Sequence, residues 1–280
     1  MRKYYYLVAS LPDVILQGES RGMALFDFLE FCEMELHPED FKNLKMMYLF
    51  NDIKNVVFFK KEEDPFITPS FYSKEEFIEN IKDQDYFMPF ISEYIFFYKA
   101  GKRFYPSKTE VDELTQLFYE KIDELKMYDF VKQYYVDCEL VITNLSRAMV
   151  MKYKNSFDEN KLINYGDYFE RIVRANTLDF GMQIEFPFIE KLSDALNKND
   201  YVLFEELIEK ARWDILDRLV DDDFFSVKNV FAIGKKLESV NRWKNLTPEK
   251  GKAKLEELVN SIKAKISFPV EFQRVGGRKK

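Results

Sequence analysis

The chain has 280 residues, 46% of them apolar, and its 42 basic and 49 acidic side chains give a formal net charge of −7. A chain of this size buries about three-quarters of its unfolded surface, so a core can form without disulfides or a structural metal. The acidic balance disfavours nucleic-acid binding, because that affinity comes from cations that neutralise phosphates.

The chain contains one histidine and two cysteines, Cys32 and Cys138, with no Cys-x-x-Cys pair. Zinc hydrolases, di-iron bundles and Ser-His-Asp triads all use histidine. We therefore expect no catalytic, cofactor-binding or metal-binding residues. Two isolated cysteines are typical of a reducing compartment. Without a cleavable leader or a run of about 18 apolar residues, the chain is expected to be cytoplasmic.

Turn-forming residues are scarce, since only nine glycines and nine prolines are present. Average usage of the two together is about 12%, roughly twice the share found in this chain. This scarcity disfavours β-sandwiches, barrels and sheets with glycine-rich loops. It favours an all-α fold of packed helical bundles.

The spacing of apolar residues and of Gly and Pro predicts helices in chain order. They lie at roughly 20–36, 38–61, 74–98 with a kink at Pro89, 107–154, 159–178, 185–197, 200–220, 223–244 and 248–266. The longest keeps apolar steps of three or four from Leu114 to Met149, and a break near Lys126–Asp129 is an open alternative.

Capping signals mark three helix starts. Residues 73–76 and 107–110 each read Ser-x-x-Glu, in which the serine and glutamate side chains satisfy free N–H groups of the first turn. Thr247 followed by proline predicts the start of the last helix.

No low-complexity linker divides the chain, so we predict one helical domain over residues 1–273 and a disordered basic tail over 274–280.

The single histidine and the run of three aspartates are predicted to have structural and not catalytic or metal-binding roles. His37 precedes a proline and is expected to be a histidine at a helix end with no catalytic role. The three aspartates at 221–223 resemble a solvated helix end more than a calcium loop. Neither a phosphate-binding P-loop sequence nor a Gly-x-Gly-x-x-Gly sequence is present.

The most informative pattern is an acidic residue followed by an asparagine on the same helix face. Asp52 and Asn55 are three residues apart, and so are Glu238 and Asn241. A looser pair in the middle of the chain is formed by Asp137 and Asn144, seven residues apart. Buried polar groups need hydrogen-bond partners, so we predict structural polar links between helices. Three such places also suggest a repeated helical unit.

These signatures resemble those of the central-stalk family of V/A-type rotary ATPases that is designated C, or d in eukaryotes. The residues around Asp52 resemble the family's first signature, Asp137–Asn144 its middle copy and Glu238–Trp243 its closing copy. The tyrosine-rich start, Tyr4–Ser10, is similar to the family's opening helix. Tyr5–Asp13 also resembles a bacterial family encoded with V-type ATPase genes.

The resemblance implies three related three-helix units arranged as a funnel. It implies a non-catalytic coupling protein that links the ATPase shaft subunits to the membrane rotor ring. Such a protein takes part in ion transport, binds no nucleic acid, inserts no segment into the membrane and is peripheral at the inner membrane face. The alternative is a free-standing helical adaptor or regulator that binds a protein through an aromatic groove. An enzyme with a pair of carboxylates is the third possibility.

Overall fold

The structure is a computed structural model that describes residues 2–16, 23–59, 64–83, 86–221 and 223–245. In these ranges the chain forms helices and no strand, and one isolated antiparallel bridge joins Lys3 to Ser226. The all-α prediction is therefore confirmed. The predicted helix 248–266, its cap at Thr247 and the predicted tail 274–280 lie outside the described residues.

The α-helices are α1 (Tyr5–Ser10), α2 (Leu25–Glu35), α3 (Pro38–Met46), α4 (Leu49–Phe58), α5 (Lys74–Lys82), α6 (Pro89–Lys99), α7 (Glu110–Glu120), α8 (Asp129–Gln133), α9 (Val141–Tyr153), α10 (Gly166–Arg174), α11 (Phe188–Asn197), α12 (Tyr201–Val220) and α13 (Val227–Asn245). A π-helix, Tyr134–Leu140, joins α8 to α9. Short 3₁₀ turns lie at Ile122–Glu124 and Glu159–Lys161.

The prediction of one helix over 107–154 is wrong, and the alternative with a break is correct. The chain turns between α7 and α8, where Ile122 is fully buried. The N–H of Tyr128 donates to Asn43 Oδ1 of α3 at 2.7 Å. Apolar residues keep their helical spacing through this corner, so periodicity alone does not detect it.

The predicted helix 38–61 is also divided, into α3 and α4. The hydroxyl of Tyr135, on the π-helix, bridges the break: it donates to the Met46 carbonyl at 2.7 Å and accepts the Leu49 N–H at 3.1 Å. A distant side chain thus satisfies the end of one helix and the start of the next, groups that a helix end leaves without partners.

Of the two predicted Ser-x-x-Glu capping boxes, one is correct and one is wrong. Ser73 and Glu76 form the predicted capping box of α5. At α7 the cap is Thr109, which accepts the Asp112 N–H at 3.1 Å, and not Ser107. Pro89 does not kink a helix; it stands in the first turn of α6, where its missing N–H costs nothing.

Buried apolar side chains between Leu7 and Leu237 form one hydrophobic cluster. Phe50 packs against this cluster: its ring lies 5.6 Å from the ring of buried Phe118, and each of the two lies within 5 Å of the Tyr135 ring. Angled ring contacts of this kind add to the stabilisation from burial. They join α4, α7 and the π-helix. In the described part of the chain, no helix has the length and apolar character needed to cross a membrane.

Replacing Gly234 of α13 with alanine is expected to lower the free energy of unfolding by about 1–3 kcal/mol. A Cβ atom there would lie 2.9 Å from Phe28 Cε1 and 2.9 Å from Tyr48 Oη. Both rings are buried and cannot move aside freely. Urea unfolding measures the change, with Lys210→Ala at an exposed position of α12 as control. An unchanged or raised stability contradicts this packing.

Candidate functional site

The predicted pair on α4 is buried and binds the main chain of the segment that follows this helix. Asp52 accepts the N–H groups of Phe71 at 2.7 Å and Tyr72 at 3.1 Å. Asn55 donates to the Ile67 carbonyl at 3.0 Å and accepts the Ile67 N–H at 2.8 Å. The pair therefore links a helix to an irregular segment and not, as predicted, one helix to another.

Burial raises the pKa of Asp52 to about 7, even though the N–H groups of Phe71 and Tyr72 favour its ionised form. Asp52 is completely shielded from solvent, and a carboxylate is poorly solvated in such a place. Burying the Asp52 carboxyl group therefore costs free energy, and its structural role is to accept two main-chain hydrogen bonds.

A second acid–amide pair, Glu113 and Gln116 on α7, has the same arrangement. Glu113 accepts the N–H groups of Phe104 and Tyr105 at 2.6 and 3.1 Å. Gln116 donates to the Asn164 carbonyl at 2.9 Å and accepts the Asn164 N–H at 2.8 Å. Sequence reasoning missed this pair because it considered asparagine alone as the amide. The shared acid-x-x-amide spacing, with Phe-Tyr as target in both cases, was the available signal.

Of the two residues of the predicted middle copy, Asn144 forms a buried polar link and Asp137 does not. Asn144 on α9 is buried, donates to the Ile163 carbonyl at 2.8 Å and accepts the Ile163 N–H at 2.9 Å. Asp137 is exposed on the π-helix, and no hydrogen bond of its side chain is found within the described ranges. The neighbouring residues Ile163 and Asn164 are thus held by amides from two different helices.

The closing copy links two helices through Glu238. Glu238 of α13 accepts a hydrogen bond from the Asn51 side-chain amide of α4 at 3.2 Å. Asn51 also donates to the Pro69 carbonyl at 2.9 Å, beside the segment that Asp52 and Asn55 bind. Asn241 is exposed. The first and last predicted signatures therefore lie side by side, and the middle one lies elsewhere.

Both closing residues line a cleft of about 360 Å³ between α4, the π-helix, α12 and α13, which we call the charged cleft. Its charged lining side chains are Lys54, Glu139, Glu209, Arg212, Lys235, Glu238 and Arg242. The π-helix supplies Glu139, and such segments frequently occur at functional sites. Sequence reasoning missed most of this set, because its members come from four elements far apart in the chain.

The carboxylates of the charged cleft are held by cations. Glu209, only 2% exposed, pairs with Arg212 and Arg242 and accepts the Ser239 hydroxyl. Arg212 also lies 3.4 Å from Glu139. Burial is the largest influence on the pKa of Glu139 and acts to raise it, but Arg212, Lys235, the Tyr134 hydroxyl and Arg242 together outweigh burial and leave this pKa below its ordinary value.

Lys235 lies deeper in the charged cleft. It pairs with Glu238, donates to the Met47 carbonyl at 3.2 Å and lies 5.0 Å from the Tyr48 ring centroid. A lysine over an aromatic face gains a cation–π attraction in addition to its ion pair. This arrangement connects α13 to the junction of α3 and α4.

Other polar features of the sequence have structural roles. His37 caps the start of α3, where Nδ1 accepts the Glu39 N–H at 3.3 Å, so the histidine does stand at a helix end. Cys32 and Cys138 are buried free thiols. In the part of the chain that the structure describes, no group of three or more His, Cys, Asp and Glu side chains is arranged to hold a metal ion.

The comparisons with known proteins identify a family. A family model described as "Protein of unknown function (DUF2764)" matches residues 1–266, so the chain belongs to this family. No curated protein and no solved structure matches the chain.

Asn55→Leu is expected to lower the free energy of unfolding by about 1–3 kcal/mol, because the N–H and C=O groups of Ile67 lose their partner. Chemical denaturation followed by circular dichroism gives the value. Asn197→Leu, at an exposed position of α11, is the matched control and should stay within about 0.5 kcal/mol of the parent. Equal stability of the parent and Asn55→Leu would show that the two hydrogen bonds between Asn55 and Ile67 do not stabilise the fold.

The raised pKa of Asp52 predicts a pH dependence of stability. Its ordinary value is 3.8 and its folded value about 7, so between these limits the folded state binds more protons than the unfolded state. Stability therefore falls as pH rises through this window. From pH 5 to 8, the parent should lose roughly 2.5 kcal/mol relative to Asp52→Asn, which cannot titrate. Parallel denaturation curves for the two proteins at each pH are the measurement, and a constant difference refutes the assignment.

Proposed function

We propose that this DUF2764 protein is a non-catalytic coupling component of a V/A-type rotary ATPase, located between the rotating shaft and the membrane rotor ring. In this role the chain transmits torque and performs no chemistry. It would be a cytoplasmic protein, peripheral at the membrane through its complex. The resemblance of its acid–amide signatures to those of the rotary ATPase central-stalk family motivates the proposal.

The observation that carries the proposal is the repeated acid–amide helix. On α4 and on α7, the acid accepts two consecutive main-chain N–H groups and the amide three residues later clamps one residue through both of its main-chain groups. The two helices pack together through Phe50 and Phe118. A repeated helical unit is what the resemblance implies for this chain.

A mechanical role also suits the way in which the irregular segments are held. The segment around Ile67–Tyr72 is bound by three side chains of α4, and residues 163 and 164 are bound by α7 and α9. Segments with main-chain groups bound in this way open less readily than solvated loops. A torque coupling needs such resistance to local opening.

Reconstitution tests the proposal directly. The tagged chain, mixed with the shaft subunits and the detergent-solubilised rotor ring of the same organism, is expected to join both into one complex on size exclusion. In proteoliposomes, omitting the chain should abolish ATP-driven ion transport while the catalytic head continues to hydrolyse ATP. Full transport without the chain, or no binding to either component, would refute the coupling role.

A free-standing adaptor is the second candidate, favoured by an exposed aromatic cluster. The Tyr5 and Phe225 rings lie 5.0 Å apart, and Phe224 contacts Phe225 at 5.3 Å. Tyr5 and Phe224 are more than half exposed, as is neighbouring Tyr6. Exposed aromatic groups of this kind mark protein-binding surfaces. Affinity capture with mass spectrometry separates the candidates, since an adaptor retains a defined partner outside the ATPase.

A further inference from the structure

We propose that the charged cleft is a binding site for an anionic oxygen group, a carboxylate or a phosphate. The inference concerns a different surface feature from the acid–amide links and does not rest on the coupling role. The support is that, among the residues that line the cleft, one cation has no hydrogen bond or ion pair and two N–H donors have no hydrogen-bond acceptor within the described residues.

Cations outnumber carboxylates among the residues that line the charged cleft. Four side chains are basic and three are acidic. Each carboxylate has a cationic partner, and three of the cations are used in doing so. Lys54 of α4 is the fourth, and its ammonium has no hydrogen bond or ion pair within the ranges that the structure describes.

Lys54 is surrounded by other charges. The protein atoms around its ammonium in the cleft desolvate it in part and, with the nearby cations Lys235 and Arg242, lower the pKa of Lys54, while Glu238 and Glu139 oppose the change. The side chains of Lys54 and Arg242 are both exposed to solvent, that of Arg242 at 50%. Two cations at the mouth of one cleft attract an anion more strongly than either does alone.

The unused hydrogen-bonding capacity of the wall is of the donor type. Trp213 Nε1 and Arg212 Nε are buried and have no hydrogen-bond acceptor among the described residues, although Arg212 Nε belongs to the ion pair with Glu139. Both atoms are shielded from solvent, so they do not contact a ligand in the cleft directly, but their unpaired N–H groups leave positive partial charge close behind the cleft wall. A carboxylate or phosphate supplies acceptors only, and is therefore the complementary ligand.

Basic residues in a cavity do not by themselves indicate an anion site, because structural partners can already occupy them, as a second cavity illustrates. A larger cavity of about 460 Å³ between α7, α9 and α12 contains Lys108 and Arg147. There, Lys108 donates to the carbonyls of Asn160 and Leu162. Arg147 pairs with Asp112 and donates to the Lys161 carbonyl. These cations already have structural partners, whereas Lys54 has none among the described residues.

The volume of the charged cleft limits what it can hold. Pockets for small molecules usually measure about 300–1,000 Å³, and this cleft is near the lower end. It suits a small di- or tricarboxylate, a phosphate group, or one or two acidic side chains of a partner protein. All of these present the same chemistry to Lys54 and Arg242.

Tryptophan fluorescence tests the site in the full-length protein. The chain has two tryptophans, so Trp243→Phe leaves Trp213 in the cleft wall as the sole indole. Inorganic phosphate, citrate and a six-residue glutamate peptide are titrated separately. At least one is expected to change the Trp213 emission saturably. Tighter binding of the peptide indicates an acidic protein segment as the source of the ligand group, and tighter binding of a small ion indicates a free metabolite.

Charge variants decide whether Lys54 is responsible. Lys54→Gln is expected to weaken binding about tenfold, because a charge-assisted hydrogen bond is lost. Lys54→Arg should retain binding, and Lys82→Gln, at an exposed site on α5, is the matched control. Circular dichroism verifies that all variants fold. A saturable response with none of the probes, or equal affinity of Lys54→Gln and the parent, overturns the proposal.

Discussion

The fold depends on one constraint: main-chain N–H and C=O groups that leave the helices but stay near the core must find hydrogen-bond partners. The segments around Ile67–Tyr72 and Ile163–Asn164 have no strand or helix of their own to supply them. Acidic and amide side chains on α4, α7 and α9 take this role. The Tyr135 hydroxyl does the same at the junction of α3 and α4. Polar groups inside the core therefore decide where the helices stop and how the connecting segments lie.

Buried charge is treated differently at different places in the molecule. Asp52 has no cation paired with it among the described residues, is stabilised by N–H groups and has a raised pKa. Glu139 is also mostly shielded from solvent, but Arg212 lies beside it, and the combined effect of Arg212, Lys235 and other nearby groups lowers its pKa. The contrast follows from the competition between desolvation and a nearby opposite charge. Asp52 and Glu139 thus differ in what offsets their burial, which is main-chain N–H groups for Asp52 and neighbouring cations for Glu139.

The two functional proposals draw on these two groups of residues. A torque-transmitting protein needs connections that do not open locally, and the acid–amide links provide them. An anion site needs positive charge that the fold leaves uncompensated, and Lys54 provides it at the mouth of the charged cleft, beside Arg242, which is already paired with Glu209. The Asn51–Glu238 hydrogen bond connects the two, since Asn51 also binds Pro69 of the clamped segment.

The sequence by itself determined the all-α class, the cap at Ser73–Glu76 and the importance of Asp52, Asn55 and Asn144, because helical periodicity and local capping act over a few residues. Only the tertiary structure decided the breaks within 38–61 and 107–154. There, Tyr135 and Asn43 satisfy helix ends from positions more than 80 residues away in the chain. Likewise, the charged cleft is assembled from four elements, and no spacing in the sequence records which distant lysines, arginines and glutamates meet across packed helices.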